Sequence, residues 1–254
     1  MSDLLLSDSR DGVAFLRMQR PEKHNAFNRE LSIAVSAAID VAESDDAVRT
    51  IVLTGVGKAF CAGADMNEAL ASFDNGGRGD VMAQAVVRFA RATKPVIAAI
   101  NGYAFGGGAA LACGCDIRLA SERASFRFPG AEYGLVVGGS QLPRIVGAPM
   151  AKELIFTARV VEADEALRIG LVNHVYDHDE LEGAAWEMAR QIAKQSPDAV
   201  RWSKAVIEAA STIEKGIELE LEANRKLRGS DDHMSRFRQA TERVSGATSD
   251  AIES

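Results

Sequence analysis

Apolar positions dominate the run VAFLRMQRP (13–21), which alternates and halts at Pro21. That pattern predicts a strand. Beyond it Asn28 can cap a helix with Glu30 in its first turn. Leu31, Val35, Ala38, Ile39 and Ala42 then recur at helical spacing. VRTIVLTG (48–55) is β-branched and ends in glycine, which predicts a second strand. GVGKAFCAGADM (55–66) has the small residues of a loop. Residues 67–80 begin helix-like and finish rich in glycine. A helix over about 81–92 leads into KPVIAAINGY (94–103), a third buried strand, and DIRLASERASFRF (116–128) holds two short ones. Strands and helices that alternate in this way favour an α/β architecture.

From residue 179 onward the pattern is helical only: 179–195, 197–210, 212–228 and 231–244 each carry a helical apolar stripe. Asp179, Pro197 and Asp231 stand near three of the starts, where anions and proline are favoured. The change of pattern divides the chain into a mixed core, 1–178, and a C-terminal helical region, 179–254.

The 254 residues suffice for a sizeable core, and the apolar and charged fractions, 47% and 26%, are those of a globular protein. A net charge of -7 argues against nucleic acid as a partner, since no basic face is available to neutralise phosphates. It leaves room for a small anion held by a few local cations. The run 95–100 is far too short to span a bilayer, and no charged stretch followed by an apolar one opens the chain as a signal peptide would. Three cysteines make no disulfide framework. Cys113 and Cys115 have the wrong spacing for a zinc motif, and the four histidines are scattered. Buried thiols in a reducing cytoplasm, with no metal, are the expectation.

The chemistry-bearing stretches are RPEKHNAFN (20–28), IVLTGVGKAFCAGADM (51–66), KPVIAAINGYAFGGGAALACGCDIRLAS (94–121) and LIFTARVVEADEALRIGLVNHV (154–175). In this order they resemble the crotonase (enoyl-CoA hydratase/isomerase) superfamily. The resemblance implies a spiral of ββα units and a C-terminal helical region used for trimerisation, giving a homotrimer or a dimer of trimers. It also implies a coenzyme A thioester as ligand, with no further cofactor. Glycine-rich turns that open a helix suit such a ligand, because they aim rigid N–H groups at a developing oxyanion and admit it closely. By resemblance the two oxyanion donors are the N–H groups of Ala64 and Gly107. Lys23 is placed near the CoA phosphates. Ala62, Asp65 and Met66 flank the adenine and pantetheine path, and Asp65 can equally serve the loop itself through hydrogen bonds to backbone. Gly106, Phe105 and Val136 complete the expected substrate contacts, with Phe73 and Val137 toward the acyl end.

Both glutamates that hydratases of this superfamily use are missing. The position three residues after Gly107 is Ala110, and Pro129 is followed by Gly130 where a PE pair is usual. General acid–base help is worth roughly 10²–10⁴ per group, so an unassisted oxyanion hole would make a slow hydratase. Glu132, two residues past Gly130, is the leading replacement. Tyr133, Glu68, Asp74 and Asp80 are the others. Two readings follow: an enzyme on acyl-CoA with non-standard acid/base groups (isomerase, decarboxylase, lyase or hydrolase), or a non-catalytic acyl-CoA carrier. If the pocket keeps its ancestral shape, glutamates restored at 110 and 130 should hydrate an enoyl thioester.

Overall fold

The structure is a computed structural model that describes residues 3–74, 81–210, 213–227, 230–232 and 235–236. It opens with a hairpin, β1 (Leu5–Arg10) against β2 (Val13–Met18), turned by Asp11 and Gly12 at φ 52° and 78°. Left-handed conformations at both turn residues match the right-handed twist of the strands, and Asp-Gly tolerates them. Helix α1 (Arg29–Ser44) starts where expected: the Asn28 side chain accepts the Leu31 N–H at 2.9 Å. It buries Leu31, Val35 and Ile39.

Thereafter each repeat sends its first strand to one sheet and its second to another. The pairs are β3 (Thr50–Gly55) with β4 (Ala59–Cys61), β5 (Val96–Ile100) with β6 (Tyr103–Phe105), and β7 (Ile117–Ser121) with β8 (Ser125–Arg127). Helices α2 (Met66–Asp74), α3 (Val81–Ala90) and α4 (Gly107–Gly114) lie between them. Then come α5 (Leu142–Val146), α6 (Ala148–Thr157), β9 (Val161–Glu162), α7 (Ala163–Arg168), β10 (His174–Tyr176) and α8 (Leu181–Ala193). The large sheet has the order β1-β2-β3-β5-β7-β10 and is parallel from β2 onward. The small one runs β4-β6-β8-β9, with β4, β6 and β8 parallel.

Two expectations change here. The stretch 55–66 contains β4 rather than loop alone. KPVIAAINGY breaks into β5 and β6, because the chain must cross between sheets at Asn101–Gly102. A Cβ on Gly102 would lie 2.0 Å from the Lys58 carbonyl oxygen, so only glycine lets the two backbones pass.

The first compact unit runs to Ala193, beyond the expected boundary at 178. The reason is α8: Leu181, Ala185, Trp186 and Ala189 cover one face of the large sheet, and Trp186 stacks on Phe15 with centroids 4.9 Å apart. The helix completes the core instead of leaving it. Val13, Val52, Ile97 and Leu119 share that layer, while α1 and α3 help cover the opposite face through residues such as Ile39 and Phe89. The second unit, from Lys194, holds α9 (Pro197–Ala209), capped by Ser196, and α10 (Ile213–Leu227). Within it the Lys226 ammonium sits 4.4 Å from the ring centroid of Trp202. Of 231–244, only 231–232 and 235–236 lie among the described residues. No helix among the described residues is long and apolar enough to cross a membrane.

Candidate active site

β4 and β6 are adjacent and parallel, with Cys61 opposite Ala104. Adjacent parallel strands end on the same edge, so the loops that follow them, 62–65 and 106, must emerge side by side. They touch through backbone: a Cβ on Gly63 would lie 3.0 Å from the Phe105 carbonyl oxygen and 3.3 Å from the Gly107 nitrogen. Gly63 itself is at φ 101°, a conformation reserved for glycine. On its far side the first loop is held by Phe27, whose N–H donates to Gly63 at 2.7 Å and whose carbonyl accepts the Asp65 N–H at 2.8 Å. A residue in a parallel bridge that is skipped by both bonds turns its own N–H and C=O the other way. Ala64 is that residue. Its N–H therefore points away from Phe27, and it donates to no group among the described residues. The same is true of Gly107, the first residue of α4, since the opening N–H groups of a helix have no intrahelical partner.

Each glycine of the GGG stretch has its own reason. Gly106 sits at φ 55° and ψ -120°, bonded through its N–H to the Arg127 carbonyl at 2.9 Å. Gly107 has no left-handed φ, but a Cβ there would fall 2.4 Å from Met82 Cγ. A Cβ on Gly108 would fall 2.0 Å from the Cys61 carbonyl oxygen. Below the loops the Gly63 N–H meets the Cys61 sulfur at 3.4 Å, and burial pushes that thiol up to about 12, which makes it inert.

The segment RPEKHN is pinned from beneath by Asn25, which is wholly buried at φ 54°. Its Oδ1 accepts the Arg20 N–H at 2.8 Å. Its Nδ2 donates to the carbonyls of Ala59 at 2.7 Å and Val56 at 3.0 Å. Lys23 is thereby presented on an exposed 3-10 turn, Pro21–Lys23, with no ion-pair partner among the described residues. The Ala62 N–H donates to His24 at 3.0 Å, tying the turn to the first loop. Met66, more than half exposed, opens α2.

Asp65 serves the loop. Its Oδ2 takes the Arg20 guanidinium at 3.1 Å and its Oδ1 takes the Asn67 N–H at 3.2 Å. Burial alone would raise its carboxyl. The Arg20 hydrogen bond and charge, with the amides of Glu68 and Asn67, outweigh that and hold it below the usual range. Glu68 accepts the Arg29 N–H, the first of α1, at 2.8 Å, so it too is occupied in structure. Asp74 ends α2 and Asp80 lies outside the described residues, as do the side chains of Asp74 and Phe73.

Ala110 is buried at 7% exposure, one helical turn into α4 and on the same face as Gly107. Gly130 is closed over: a Cβ would lie 2.8 Å from the Leu135 carbonyl oxygen and 2.9 Å from the Val137 nitrogen. The Leu135 N–H donates to the Gly130 carbonyl at 2.7 Å, drawing the loop tight. Glu132 lies on the following 3-10 turn, Ala131–Tyr133, with Oε2 2.5 Å from Arg127. Its Oε1 accepts no hydrogen bond among the described residues. Arg127 stands opposite Phe105 in the β8–β6 register, so this ion pair flanks the Gly106 loop. Val136 is 90% exposed, and Val137 is the neighbour that turns toward Gly130. A separate cavity of ≈260 Å³, lined among others by Arg17, Thr54, Asn101, His178 and Glu182, has its polar groups bonded to one another, to backbone or, for His178, to the Ser121 hydroxyl. Sequence reasoning missed Asn25, Asn101 and Met82. For Asn25 a signal existed, an asparagine after a Pro-initiated turn; Met82 carries none.

A chain that winds successive ββα units into two abutting sheets, with small-residue loops meeting where β4 and β6 end, has the crotonase-like α/β fold. The chain belongs to the enoyl-CoA hydratase/isomerase family, whose model matches residues 8–243. It is 44% identical over 201 residues to the short-chain-enoyl-CoA hydratase of Clostridium acetobutylicum, covering 77% of each chain. It is 34% identical over 233 residues to the 1,2-epoxyphenylacetyl-CoA isomerase of Escherichia coli, covering 87% of this chain and 88% of that one. The enoyl-CoA hydratase structure from Bacillus anthracis superposes with a TM-score of 0.88 at 30% identity, over 95% of this chain and 97% of that one.

Proposed function

We propose that this protein is an enzyme of acyl-CoA metabolism that stabilises an enolate-type oxyanion between the N–H groups of Ala64 and Gly107. The single observation that carries the reading is the abutting pair of loops after β4 and β6, each offering an amide with no partner among the described residues. An acyl thioester whose carbonyl enters between them gains charge on oxygen when its α-carbon loses a proton or a carboxyl group. Donors already in place stabilise that charge without reorganisation. Lys23 meets the CoA phosphates, and Ala62, Asp65, Met66 and Gly106 border the thioester arm, with Phe105 and Val136 toward the acyl group. Glu132 is the acid/base residue, acting through Oε1 while Arg127 holds Oε2. The reaction differs from standard hydration, since Ala110 and Gly130 stand at the two glutamate positions and neither ionises. Isomerisation, decarboxylation, lysis or hydrolysis of the thioester substrate fits that set of groups. The active form is a cytoplasmic homotrimer or dimer of trimers, and no cofactor is required besides the CoA of the substrate.

The closure of the chain over Gly130 favours one second reading, a non-catalytic acyl-CoA carrier. One experiment separates the two. The purified protein is titrated by calorimetry with crotonyl-CoA, a 3-enoyl-CoA, a β-hydroxyacyl-CoA and a β-carboxyacyl-CoA. Each mixture is then followed by chromatography and mass spectrometry. Conversion of one thioester supports the enzyme and names its reaction. Binding with no conversion of any supports the carrier, and no binding at all defeats both.

A further inference from the structure

We infer that Met82 is a positioning residue for the Gly107 amide, an inference that rests on the acyl-CoA reading above. Gly107 is not glycine for the sake of its backbone, because its φ lies outside the left-handed region. It is glycine because Met82 occupies the place of its side chain: the position of a Cβ is 2.4 Å from Met82 Cγ, 3.3 Å from Sδ and 3.4 Å from Cε. The whole thioether thus lies along the Gly107 Cα, and Met82 is buried at 3% exposure. On the next residue the Cys61 carbonyl presses from β4 just as closely, 2.0 Å from the place of a Gly108 Cβ. The first turn of α4 is therefore gripped from two directions, by α3 through a side chain and by β4 through backbone. The further end of α4 meets α3 again, where a Cβ on Gly114 would be 3.3 Å from the Val86 carbonyl oxygen and 3.7 Å from Ala90 Cβ.

The β4 contact is rigid, being main chain against main chain. The Met82 contact is the adjustable one, since a methionine has three rotatable bonds and fills space without strict shape. It sets how far the N-terminal turn of α4 tips toward Ala64, and hence where the Gly107 N–H points. A donor misdirected by a fraction of an ångström matters little to ground-state binding, which is spread over the whole CoA moiety. It matters in the transition state, where charge gathers on one oxygen.

The test uses the full-length protein and whichever thioester in the panel it converts. Met82→Ala should lower kcat by about 10-fold or more, approaching the ~10²-fold cost of losing one oxyanion donor, with KM within about twofold of the parent. Met82→Leu, close in volume, should recover most of that loss. Gly107→Ala should be slower still. Gly107→Ala combined with Met82→Ala should be faster than Gly107→Ala alone, because the shortened side chain leaves room for the new methyl. If Met82→Ala retains the parental kcat, or if the double variant is no faster than Gly107→Ala, the inference falls while the acyl-CoA reading stands. Should Met82→Ala fail to fold, Met82→Leu and the Gly107→Ala pair with Met82→Val carry the same comparison. If the parent protein converts no thioester, whether or not it binds one, the enzyme reading beneath the inference has failed first, and the inference falls with it.

Discussion

Asn25 and Asn101 meet at one acceptor: the carbonyl oxygen of Ala59 receives Nδ2 of the first at 2.7 Å and Nδ2 of the second at 3.3 Å. Asn101 also donates to Gly57 at 2.8 Å and accepts the Gly55 N–H at 3.2 Å. Asn25 fastens the β3–β4 turn to the Arg20–Asn25 segment, on which Lys23 rides, and Asn101 fastens the same turn to the crossing between β5 and β6. Asn25→Ala would leave the Arg20 N–H and the Val56 carbonyl without their partners in a partly buried place, and would impose a left-handed φ on alanine. The expected cost is about 2–4 kcal/mol, read as a lower urea midpoint with an unchanged slope. Acyl-CoA affinity should fall with it.

Gly130→Glu should not restore hydration chemistry, even with Ala110→Glu. A Cβ at 130 would meet backbone of Leu135 and Val137 at under 3 Å, which argues against a pocket of ancestral shape. The loop would have to open, at a cost of about 1–3 kcal/mol. Thermal melting should show the loss, and crotonyl-CoA hydration should stay at the parental level. A stable double variant with a gain in hydration would contradict the closed loop.

Arg20→Met should weaken the protein in a pH-dependent way. Asp65 has its folded-state pKa depressed, so its contribution is present above the unfolded value, about 3.9, and is lost as pH falls through the lower folded value. At neutral pH the variant should be less stable by about 1–3 kcal/mol, because a carboxylate that is only 14% exposed loses a charged hydrogen bond. The gap should narrow below about pH 4, though not to zero, because Arg20 also donates to the Ala26 carbonyl at 2.6 Å. Denaturant titrations of both proteins at several pH values check the trend.

Glu132→Gln keeps an oxygen for Arg127 and so should leave the melting temperature nearly unchanged. Its kcat on the converted thioester should drop by roughly 10²-fold or more, the usual worth of a general acid or base. Turnover at the parental rate would remove Glu132 from the mechanism and leave Tyr133, Glu68, Asp74 and Asp80 as the candidates.

Long periodic stretches made much of this fold legible. The α1 stripe with its Asn28 cap, the wholly buried β3 and helices α8, α9 and α10 follow from patterns that local chemistry decides. β1 was hidden because it is an edge strand with one buried residue, Leu5, in a polar run, although Asp11-Gly12 is a hairpin signal in its own right. β4 and β6 are three residues each, too short for periodicity, and exist because neighbouring strands accept them. At the site, the glycine-rich loops could be read directly, as could an alanine at 110 and a glycine at 130. The reasons could not: Gly107 answers to Met82, 25 positions back, and Gly130 to a loop that folds over it. Such contacts between distant parts of the chain leave no local trace.

The parallel neighbours β4 and β6 have a lasting effect on what this scaffold can become. The loops that follow them meet through peptide groups, which every amino acid carries, so exchanging the ionisable side chains around them leaves that meeting in place. Chemistry on such a frame is replaceable furniture: the room survives each change of tenant.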